Sequence, residues 1–87
     1  MKYEELAELA TSIESRQDLA NFIREFSQSP EEIGDFWEND RLDTFLEALG
    51  AWTESMDGVF KNRGEACPEN PSWNLFGRML MAAVIYE

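Results

Sequence analysis

The chain has no histidine, one cysteine and only seven basic residues against eighteen acids. Each shortage removes a class of function. Without histidine there is no imidazole to serve as a general base near neutral pH or to ligate a metal. Cys67 alone cannot build a thiolate zinc site or an internal disulfide. It stands beside Pro68 with no histidine to activate it, which reads as an inert thiol and points to a reducing, cytoplasmic setting. The five glycines are scattered, so no phosphate-cradling loop is formed. Nothing orders a pair of acids into a pocket. The expectation is a protein that is not an enzyme and takes no cofactor or metal.

Long apolar runs are missing too. The most apolar stretch, residues 79–86, is too short to span a bilayer. The opening MKYEELAEL carries acids where a signal peptide needs an unbroken apolar segment. A net charge of −11 repels nucleic acid and anionic membranes and steers toward a basic protein partner, with plain solubility as the simpler reading. What the chain does have is core material. Hydrophobic residues make up 44% and aromatics 13%, too apolar for a disordered chain. At 10.1 kDa, surface scaling gives roughly 5,300 Å² exposed out of about 14,600 Å². That suffices for one domain over residues 1–87 without covalent staples.

Apolar residues recur at helical spacing four times, predicting an all-α bundle with helices over about 3–13, 16–28, 41–62 and 71–86. Tyr3, Leu6, Ala7, Ala10 and Ile13 share the first face. Ser15 reads as a cap with Asp18 completing a variant capping box, ahead of Leu19, Phe22, Ile23 and Phe26. Pro30 should end that helix, since a proline disfavours helical geometry in the residue before it. A short new turn starting at Pro30 is an additional expectation. The third helix is the longest, with Leu42, Phe45, Leu46, Leu49, Trp52, Met56, Val59 and Phe60 on its stripe. Asp40 reads as its N-cap with Asp43 at the third position, and Gly64 as its stop. Asn70 and Pro71 read as the start of the fourth helix. That helix is apolar nearly all round, so it is expected to be central, or else partly exposed as a homodimer or partner surface.

The acids are not evenly spread. Residues 31–57 hold nine acids and one base, Arg41. Asp43, Glu47, Gly50, Glu54 and Asp57 fall within about 80° of one helix flank. Like charges at these spacings cost about 0.2–0.5 kcal/mol per pair, and glycine costs up to about 1 kcal/mol against alanine. The functional reading is a negative groove for a basic segment, with Gly50 permitting close approach. The alternative is a solvated face, with Gly50 letting another helix of the chain pack. Trp37 reads as a staple against Leu42 or Phe45, or as a partner hot spot. The partner-binding candidates are therefore Asp35, Trp37, Glu38, Asp43, Glu47, Gly50, Glu54 and Asp57.

The pattern W-E-N-x-x-L-x-x-F-L-E-A-x-x-x-W from Trp37 to Trp52, with Pro68, Trp73 and a closing A-x-x-Y-E from Ala83, resembles a family of small, uncharacterised bacterial proteins. The resemblance runs over about residues 12–87 and is weaker in the first helix. It implies no assigned activity. Proteins of this size and acidity are similar to immunity proteins that neutralise a toxin, and in the shared motif Glu38 and Glu47 are the matched acids. The leading expectation is an immunity-type inhibitor that covers a basic surface on a toxin such as a nuclease. The alternatives are an oligomerisation module using Met79, Met81 or Ile85 of the last helix, and an acidic mimic of nucleic acid.

Overall fold

Acids start the first helix. The computed structural model describes residues 2–34 and 37–86, the side chain of Ile33 excepted. In α1 (Tyr3–Thr11), Glu4 and Glu5 occupy the first turn, and the Glu5 carboxylate accepts from the Lys2 backbone N–H at 3.2 Å. The helix stops two residues short of the expected Ile13. Ser12 turns back on the Leu9 carbonyl through both its N–H, at 3.1 Å, and its hydroxyl, at 2.8 Å. Ile13 follows in irregular backbone yet is buried.

The second helix, α2 (Arg16–Ile33), begins as expected. Ser15 Oγ accepts from the Asp18 N–H at 3.1 Å, and Asp18 in return accepts from the Glu14 N–H at 3.1 Å. Its end differs from the expectation. The helix runs through Pro30, and no new turn starts there. A proline inside a helix orphans the carbonyl four residues back, here that of Phe26. The hydroxyl of Ser29, itself buried, donates to that same oxygen. The lost backbone bond is replaced in place, so the helix continues to Gly34. Gly34 takes φ +62°, ψ −122°, a conformation open to glycine.

In α3 (Leu42–Asn62) the N-cap is Arg41, without a side-chain cap bond, rather than Asp40. Asp43 is accordingly the second helical residue, where its carboxylate accepts from the Thr44 N–H at 2.9 Å. The C-terminus follows the expectation. Gly64 has φ +72°; its N–H reaches Lys61 O at 3.0 Å, and the Glu65 N–H reaches Phe60 O at 2.8 Å. These two bonds form a Schellman motif. The fourth helix, α4 (Trp73–Ile85), starts after Ser72 rather than at Asn70–Pro71. Ser72 Oγ accepts from the Leu75 N–H at 3.3 Å and so caps it.

The helix α4 is central: it packs against α1, α2 and α3, and α1 also packs on α2. Leu6, Ala10, Ile13, Phe22, Phe26, Met81 and Val84 form the core between α1, α2 and α4. Gly77 lets α4 come close to the first helix and Ile13: a Cβ there would lie 2.6 Å from Ile13 Cδ1 and 3.2 Å from Ala10 O. Three helices nevertheless do not cover the fourth. Trp73, Phe76 and Ile85 stay 42%, 40% and 44% exposed. The total exposed surface of 6003 Å² exceeds the scaling value by about 700 Å². Among the described residues no helix is long and apolar enough to cross a membrane.

Candidate functional site

The last turn of α4 lacks a basic residue and a helix-stopping glycine, so its terminal carbonyls need partners from elsewhere. One residue supplies three such bonds. The Asn39 amide donates to Ala83 O at 2.9 Å and Tyr86 O at 2.7 Å, while its backbone N–H donates to Val84 O at 2.9 Å. Asn39 is itself held by Trp37, whose indole N–H donates to the Asn39 carbonyl. The Trp37 ring lies 4.9 Å from the Phe26 ring and 5.8 Å from that of Phe45, half-buried against the core. Trp37 is thus a peg against Phe45, while Leu42, its other expected partner, is 76% exposed. The W-E-N and A-x-x-Y segments, at opposite ends of the motif, meet in one clamp.

That clamp builds one side of a groove of about 530 Å³. Asn39 and Tyr86 line it together with the row Asp43, Glu47 and Ala51, which steps by four along α3. Two of the expected acids therefore come together at a concave surface. Asp43 also pairs with Arg41 at 3.1 Å, both side chains being exposed, so its charge is partly answered locally at a gain of at most about 1 kcal/mol. Glu54 and Asp57 lie further along α3, exposed and outside the groove. Glu38 is exposed, and Asp35 lies outside the described residues.

Gly50 corrects one expectation. It is exposed, and among the described residues a Cβ there would meet nothing within 4 Å, so no described helix packs on it. The oligomerisation candidates also separate. Met81 is a core residue at 5% exposure, whereas Met79 lines an apolar groove of about 270 Å³ with Leu19, Ile23, Leu49 and Phe76. Tyr86 and Ala51 were missed as groove walls. The four-residue step from Asp43 to Ala51 could have shown the second, but the first depends on a contact across the whole motif.

Among the described residues no group of three or more acidic or cysteine side chains is placed to hold a metal ion. The fold and groove define a small all-α protein with an acidic helix flank beside a clamped helix terminus. A family model described as "Family of unknown function (DUF7660)" matches residues 15–87, and the chain belongs to that family. The match begins at Ser15, the cap of α2, and leaves α1 outside it. No curated protein and no solved structure matches the chain.

Proposed function

We propose that the protein is a non-catalytic acidic binding module that receives a basic segment of a partner protein along α3. In cellular terms the reading is an immunity-type inhibitor that masks a basic surface of a toxin in the cytoplasm. The supporting observation is the groove that Asp43 and Glu47 line together with the aromatic Tyr86. An arginine or lysine stem lies along Ala51 and Tyr86 in this reading, with its charged end at Glu47. A following basic residue meets Glu54 or Asp57, and the open surface at Gly50 lets the partner backbone approach the helix. Trp37, held in the clamp, orients Asn39 instead of contacting the partner. Such a complex weakens as salt rises, because exposed charges carry its selectivity.

The test is co-expression with the product of the neighbouring gene. That product should be toxic alone, harmless beside the wild-type chain and toxic again beside E47K/E54K. A harmless product, or protection that survives the double reversal, contradicts the reading.

A homodimer through the apolar groove between α2, α3 and α4 is the second reading, favoured by Ile23 at 46% and Phe76 at 40% exposure along its walls. Sedimentation separates the two: a dimer that F76E disperses supports the second, and a monomer at all concentrations removes it.

A further inference from the structure

Basic residues are scarce in this chain, and two of the seven line one cleft. The cleft, of about 280 Å³, opens where α1, α3 and α4 come together, with Arg63 from the cap of α3 and Arg78 from the body of α4. Tyr3, Ala7, Trp52 and Ala82 contribute the rest of the wall that matters here. Among the described residues no carboxylate pairs with either guanidinium. In a chain with eighteen acids that is unusual for Arg78, which is half-buried, because charges withdrawn from water are normally paired. Its guanidinium carbon lies over the Phe60 ring, 5.3 Å from the centroid. A cation–π contact of this kind uses no N–H hydrogen bond, so the guanidinium donors stay available for an anion in a forked geometry.

We infer that this cleft binds a small organic carboxylate, the two arginines taking the carboxylate and the Trp52–Ala82 wall its apolar body. The size fits. A cleft of about 280 Å³ lies at the small end of ligand sites, which run from about 300 to 1,000 Å³, and suits a single-ring acid. The site is separate from the acidic flank of α3 and shares no residue with its groove, so either can fail without the other.

The experiment is a titration of the full chain with benzoate, followed through the arginine Nε–H resonances by NMR. Benzamide serves as the uncharged isostere and inorganic phosphate as the bare anion. Expected is saturable movement of the Arg63 and Arg78 resonances with a Kd on the order of 1 mM, absent with benzamide and much weaker with phosphate. R78Q should lower benzoate affinity by about tenfold or more. R63Q, a surface change that leaves the fold intact, should lower it by at least about threefold. The inference is overturned if benzoate moves neither resonance, if benzamide or phosphate does as well as benzoate, or if R63Q binds benzoate like the wild type.

Discussion

Replacing Asn39 by alanine removes both amide bonds to the end of α4, at 2.9 and 2.7 Å, and leaves the backbone bond to Val84 O in place. A neutral hydrogen bond contributes about 0.5–1.5 kcal/mol net, so the pair is expected to cost about 1–3 kcal/mol. In a domain of this length each kcal/mol moves Tm by about 4–8 °C, so the loss is at least about 4 °C. Aspartate is the sharper probe. It keeps the shape of asparagine but accepts only, and its charge faces the carbonyl end of the α4 dipole. N39D should therefore cost more than N39A, by roughly 1 kcal/mol. Urea unfolding followed by circular dichroism gives both values. Amide exchange at Tyr86, whose N–H bonds Ala82 O at 3.0 Å, reports whether the loss begins at the α4 terminus. If N39A stays within about 0.5 kcal/mol of the wild type, or N39D equals N39A, the clamp is not what secures that terminus.

The other predictions concern stability at single positions. S29A orphans the Phe26 carbonyl and should cost about 1–3 kcal/mol, whereas in a P30A background the restored N–H should reduce that cost to near zero; additive values from unfolding curves would refute the replacement. G50A should stabilise by up to about 1 kcal/mol, since an added methyl meets nothing. G77A should instead destabilise by about 0–2 kcal/mol, because overpacking against Ile13 and Ala10 outweighs the same helix gain; equal urea midpoints for the two variants would contradict this.

What was legible in the chain was local. The Ser15 cap, the Gly64 stop and the four apolar periods depend on residues within a turn of one another, and each appears in the structure. Pro30 misled because the missing N–H is visible in the sequence while the Ser29 hydroxyl that takes its place is a matter of rotamer. The start of α4 slipped because Asn70, Pro71 and Ser72 are all good starting residues, and only the bond to the Leu75 N–H chooses among them. The third stripe is narrower than its apolar residues suggest: Leu42 and Leu46, at 76% and 53% exposure, fall at its edge, while Ala48 on the other side is buried. The groove was half legible. Its acids follow from helical spacing, but Tyr86 reaches it through an Asn39 contact spanning 47 residues, which no local pattern encodes.

The central claim, that the α3 flank is where a basic partner binds, is tested most directly by titrating the isotope-labelled chain with an arginine-rich peptide. Expected are shifts concentrated at the Asn39 amide, Thr44, Ala48 and Ala51, an affinity that falls as salt rises, and loss of binding in E47K/E54K. Shifts centred on the equally exposed acids Glu4, Glu5 and Glu8 of α1, or an affinity unchanged by the double reversal, would contradict it.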